Sequence, residues 1–124
     1  MNIIDSSLWL EYFAGTLKNG AIVNMIEDPA NQYVPGICIY EVFKRIYTQR
    51  DESSAMSSVM FMQNAIVIGV TPQIAVLAAK LGSKFGLPMA DSIIYATAKT
   101  MDAIVYTKDK HFENLDGARY FANP

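Results

Sequence analysis

Short apolar runs alternate with longer stretches of helical character along this chain, and the alternation is regular enough to read as architecture. Strand-like runs fall at Asn2 to Ile4, around Tyr33 and Val34, at Ala65 to Val70, at Ala103 to Thr107 and at Arg119 to Phe121. Between them the pattern predicts helices over Ser6 to Ala14, Gly20 to Asp28, Ile37 to Arg50, Glu52 to Gln63, Pro72 to Phe85 and Met89 to Met101. Strands that are apolar on both faces and separated by helices imply a parallel sheet covered on each side and joined by right-handed crossovers. The expected class is therefore a three-layer α/β/α sandwich with a central, mainly parallel sheet.

Local chemistry supports several of these boundaries. Asp5, Ser6 and Ser7 stand between the first strand and Leu8, Trp9 and Leu10, where a short polar side chain can cap a helix. Thr71-Pro72 opens the next long helix with proline at a first-turn position, where its missing N–H costs nothing, and Gly86 closes that helix. Leu87-Pro88 opens another, whose Ile93, Ile94 and Ala98 share one apolar face, with Asp91 in its first turn.

Composition narrows the class. The 124 residues are 52% hydrophobic and 18% charged, with no linker, repeat or low-complexity tract, so the reading is a single domain over residues 1–124. Ten basic against twelve acidic residues give a formal charge of −2, so contacts with nucleic acid must rest on local patches. Cys38 is the only cysteine and His111 the only histidine, which excludes an intramolecular disulfide and a multi-cysteine zinc site. No stretch approaches the roughly 18 apolar residues of a membrane span, and the opening NIID is strand-like rather than a signal segment. A cytoplasmic protein without membrane contact is the expectation.

In a parallel α/β sheet, ligands bind beyond the carboxyl ends of the strands. Asp5 ends the first strand and Asp109 follows AIVYT, so both face one edge, and Asp91 opens a helix that enters there. Glu41 lies within ICIYEVFKRI, flanked by apolar residues, where a carboxylate needs a partner, water or an ion. Carboxylates held together repel and raise one another's pKa unless a cation neutralises them. An all-oxygen set without a histidine or cysteine cluster suits Mg²⁺ or Mn²⁺, and such ions complete their shells with water and phosphate. Phosphodiester hydrolysis follows, with Asp5, Glu41, Asp91 and Asp109 as both metal-holding and catalytic residues.

Each acid also has a structural reading. Asp5 and Asp109 can cap helices, Asp91 can complement a helix dipole, and Glu41 can pair with Lys44 and Arg45 three and four residues on. Three caps on one edge of one sheet is more than capping requires. Ser6 and Thr107 stand where a hydroxyl can support the acids. Lys44, Arg45, Lys108 and Lys110 are candidate contacts to substrate phosphates, while His111 reads as structural. Met56, Val59, Met60, Phe61 and Met62 are more apolar than one core-facing stripe needs, which points to core packing or to a dimer or partner surface.

These residues resemble the PIN-domain nucleases, most closely the VapC-type toxins of toxin–antitoxin pairs. IIDSSLWLEYFAG is similar to that family's first strand and its aspartate, here Asp5. GLPMADSIIYATAKTMDAIVYTKDKHF resembles its most recognisable block and supplies Asp91 and Asp109, with Glu41 matching the mid-chain acid. The resemblance implies a single-stranded RNA endonuclease using Mg²⁺ or Mn²⁺, a homodimer, and a small VapB-like antitoxin whose tail fills the acidic groove. The chain departs from the pattern at Ala14, where a basic residue is often found, with Lys18 the nearest substitute.

Other readings fit less well. A receiver-like phosphoacceptor needs paired acids at the first strand, and a haloacid-dehalogenase-like phosphatase needs Asp-x-Asp, whereas this chain has Asp5-Ser6-Ser7. No glycine-rich phosphate loop is present. A catalytically silent PIN-like interaction module is the remaining alternative, and it would have no use for four mutually repelling acids.

Overall fold

The computed structural model describes residues 1–122. Five strands, β1 (Asn2–Ile4), β2 (Gln32–Pro35), β3 (Ile66–Ile68), β4 (Ile104–Thr107) and β5 (Ala118–Tyr120), form one sheet in the order β3-β2-β1-β4-β5. Every pairing is parallel. Six helices accompany them: α1 (Ser6–Ala14), α2 (Gly20–Ile26), α3 (Gly36–Gln49), α4 (Glu52–Met62), α5 (Pro72–Phe85) and α6 (Met89–Met101). The predicted elements are all present, most within two residues of the expected ends; the third strand, shorter by one residue at its start and two at its end, is the largest departure. No helix among the described residues is long and apolar enough to cross a membrane.

The strand order positions the site. β1 is central, the chain leaves it toward β2 on one side, and β4 returns on the other, so the order reverses between β1 and β4. Crossovers diverge at such a point and leave a crevice beyond the strand ends. Ile3, Ile4, Val34 and Val105 are fully buried between the helical layers. Trp9 stacks on Phe13 with ring centres 5.7 Å apart and meets Phe61 edge-on at 6.2 Å, anchoring α1 to α4.

Two expectations are corrected here. The run at residues 65–70 is not a strand buried on both faces: β3 pairs only with β2, and Ile66 and Val67 remain 49% and 41% exposed at the sheet edge. The chain then leaves the sheet to reach the cap at Thr71, whose Oγ1 accepts the Ile74 N–H at 3.2 Å. Asp5 precedes α1 but caps nothing with its carboxylate, because that group is bonded elsewhere. The apolar run on α4 divides: Met62 is buried, whereas Met56 and Met60 are 45% and 65% exposed.

α5 and α6 form a close pair, turned by Gly86 in the left-handed conformation at φ 67°. A Cβ at Gly82 would lie 2.5 Å from Ser92 Oγ, which is committed to the carbonyls of Leu87 and Pro88. Gly82→Ala is expected to destabilise the fold by about 1–3 kcal/mol through this overpacking. Urea denaturation checks it, and Ser92→Ala in the same chain should recover part of the loss.

Candidate active site

Four elements deliver four acids to the β1/β4 crevice. Asp5 follows β1, Glu41 lies in α3, Asp91 in the first turn of α6, and Asp109 just beyond β4. All four line one cavity of about 460 Å³ together with Ser6, Lys44 and Arg45. Helix α6 starts at this edge because Pro88 precedes it in an extended conformation, and its N-terminal end favours a negative charge there.

Hydroxyl groups hold the acids in place. Ser7 Oγ and Thr107 Oγ1 each donate to Asp5 Oδ2 at 2.8 Å, and Thr107 Oγ1 accepts the Asp109 N–H at 2.8 Å. This chain of bonds fastens the end of β1 to the end of β4. Ser6 Oγ donates to Glu41 Oε1 at 2.7 Å, so Glu41 is turned toward the crevice rather than paired along its own helix. Asp109 Oδ1 accepts the His111 N–H at 2.9 Å, which is the one capping bond the three strand-edge acids make.

His111 was not legible as part of this group. Its Nδ1 lies 2.8 Å from Asp109 Oδ1 and 3.0 Å from Asp91 Oδ2, because the short helical turn Lys110–Phe112 folds the ring back over the crevice. A histidine two residues beyond a strand-end acid, followed by a buried Phe112 that pins the turn, is the signal that could have found it. Other basic side chains separate. Lys44 and Arg45 are on the cavity wall; Lys110 is exposed on the turn and Lys108 Nζ is held by Glu11 at 3.0 Å, and neither lines this cavity.

The acids are held at an electrostatic cost. Burial raises the Asp5 carboxyl above its ordinary value, against the Thr107 and Ser7 hydrogen bonds, and Asp109 raises it further. Burial, then the charges of Asp109 and Asp5, push Asp91 up to about 7. Glu41 is raised by burial, opposed by Ser6 and reinforced by Asp5 and Asp109. Beneath them the buried Cys38 thiol is pushed well above its usual range, chiefly by burial.

These residues fit a divalent cation. Ligand atoms of Asp91, Asp109 and His111 lie within 4.8 Å of one another, and Asp5 and Glu41 share their electrostatic field. The donors are mainly carboxylate oxygens, the chemistry of Mg²⁺ and Mn²⁺ sites, with one imidazole nitrogen that tolerates Mn²⁺ better than Mg²⁺.

Carboxylates gathered at the switch point of a five-stranded parallel α/β/α sheet make a site organised around acids. The chain belongs to the PIN-domain family, whose sequence pattern matches residues 3–118. Solved structures agree in fold. A toxin–antitoxin complex from Klebsiella pneumoniae is 19% identical, with a TM-score of 0.82 and coverage of 99% of this chain and 100% of that one. The Mycobacterium tuberculosis toxin VapC20, described as cleaving the sarcin–ricin loop, is 15% identical at a TM-score of 0.79, covering 94% and 96%. A DNA-bound VapBC from Salmonella typhimurium is 13% identical at 0.79, covering 98% and 96%. No curated protein matches the sequence.

Proposed function

We propose that this chain is a metal-dependent endoribonuclease that cuts single-stranded RNA, and that it is the toxin of a toxin–antitoxin pair. The carrying observation is the convergence of Asp5, Glu41, Asp91 and Asp109, from four separate elements, on one cavity. Helix capping or surface solvation would not bury these carboxylates together against their mutual repulsion. The relatives described as VapC and VapBC support the toxin reading through their shared fold.

Asp5, Asp91, Asp109 and Glu41 would hold Mg²⁺ or Mn²⁺, with His111 beside Asp91 and Asp109. When bound, the ion supplies charge stabilisation at the phosphate and a lowered pKa for water. The protein's own part is positional. Thr107 and Ser7 fix the Asp5 carboxylate, Ser6 fixes Glu41, and Lys44 and Arg45 offer positive charge to the substrate phosphate. An acidic cavity of this kind also accepts a basic side chain from a small antitoxin, and the exposed Met56 and Met60 belong to the surface we assign to a homodimer or partner.

The test is incubation of purified, partner-free protein with a mixed single-stranded RNA pool in Mg²⁺, in Mn²⁺ and in EDTA. Cutting is expected with either metal, faster with Mn²⁺, and none in EDTA. A folded protein that cuts nothing under any metal would leave the silent interaction module in its place.

A further inference from the structure

A second, larger hollow of about 690 Å³ adjoins the acidic cavity and shares Ser7, Leu10 and Arg45 with it. Three helices wall it. Leu10, Phe13 and Ala14 of α1 make an apolar side that ends in a small, uncharged residue. Facing this are Arg45 of α3 and Arg50, the residue that ends α3, and the first turns of α4 add Ser53 and Ser57, four residues apart on one helical face.

The charge on this groove is available. Arg45 and Arg50 are exposed and make no ion pair among the described residues. Of the acids close by, Glu11 lines the hollow but holds Lys108 at 3.0 Å, and Asp51, next to Arg50 in sequence and within reach of its charge, accepts the Ser54 N–H at 2.7 Å as the cap of α4. The groove thus presents two exposed guanidinium groups outside any close ion pair and a pair of hydroxyls on one side and an apolar strip on the other, and it opens onto the acid cluster.

We infer that this groove carries the RNA strand flanking the scissile phosphate, with Arg45 and Arg50 binding backbone phosphates, Ser53 and Ser57 donating to phosphate oxygens, and Leu10 and Phe13 receiving bases. The inference rests on the endoribonuclease reading above. Guanidinium groups suit phosphate because their planar donor fork matches its oxygens, and such contacts fix register without reading sequence. An apolar, partly aromatic strip suits bases of any identity. The arrangement explains how a chain of net charge −2 holds a polyanion: positive charge is concentrated beside the acids.

The test separates binding from cutting. In an Asp91→Asn background, affinity for a fluorescent single-stranded RNA is measured against salt concentration with Arg45→Ala, Arg50→Ala and both. Each lost phosphate contact should lower the slope of log affinity against log salt by about 0.7, so by about 1.4 for the double variant. Arg50→Lys should restore most of the slope, which a merely structural role would not predict. In the cleaving protein, Arg50→Ala should act mainly on KM. Unchanged affinity and slope in the folded double variant would overturn the inference. So would loss of inhibition by a partner protein with RNA affinity intact, since that assigns the groove to the partner. If even the unsubstituted protein neither binds nor cuts RNA, the endoribonuclease reading itself has failed.

Discussion

Asp91→Asn should lower RNA cleavage by about a thousandfold or more, because it removes a carboxylate from the set we propose to hold the ion. The same substitution should make the metal-free protein more stable at neutral pH. Asp91 is pushed up to about 7 in the folded protein, from an ordinary value near 3.8. Between those two values the folded state binds more protons than the unfolded state, so stability falls as pH rises from about 4 to about 7. Above that window the penalty is complete, of order a few kcal/mol, and Asn removes it. Urea midpoints across pH 4 to 8 in EDTA should therefore decline for the unsubstituted protein and stay flatter for Asp91→Asn. Loss of stability in the variant at every pH would instead mark Asp91 as a structural cap. Adding Mn²⁺ should stabilise the unsubstituted protein and leave the variant nearly unmoved.

Asp5 is expected to separate shape from charge. Asp5→Asn keeps an oxygen where Oδ2 accepts the Ser7 and Thr107 hydroxyls, so the tie between β1 and β4 survives while the negative charge is lost. Cleavage should again fall about a thousandfold, with thermal stability at or above that of the unsubstituted protein. Asp5→Ala removes the acceptor altogether. It leaves the fully buried Thr107 hydroxyl without it, and should cost about 1–3 kcal/mol in addition to the activity. Calorimetry on the two variants side by side tests the difference, and equal stabilities would refute the structural role given to these hydroxyl bonds.

Much of this was legible in the residues because the relevant signals are local. Strand and helix lengths followed from short apolar runs and amphipathic stretches, and Asp5 and Asp109 stood at strand ends where α/β sheets place their sites. Features that depend on long-range geometry were hidden. The Ser6–Glu41 bond joins residues 35 apart, and without it Glu41, taken alone, reads better as a partner of Lys44 and Arg45 on a solvated helix face. Lys108 sits beside Asp109 in sequence, yet its side chain spans to Glu11, 97 residues away. His111 enters the site only because the turn after Asp109 curls back. The exposure of Ile66 and Val67 depends on which strand stands at the edge, which hydrophobic pattern does not encode.

The hydroxyl tie between Thr107 and Asp5 spans 102 residues of chain. A contact of such separation closes a far longer loop than the β1–β2 pairing does. The strand that brings Thr107 and Asp109 pairs with β1 on the side opposite β2. Any fragment lacking that strand, and any excursion that peels it from β1, carries an incomplete set of acids. The acid cluster is thus complete only while β4 is paired to β1, so its integrity reports on that one seam of the sheet.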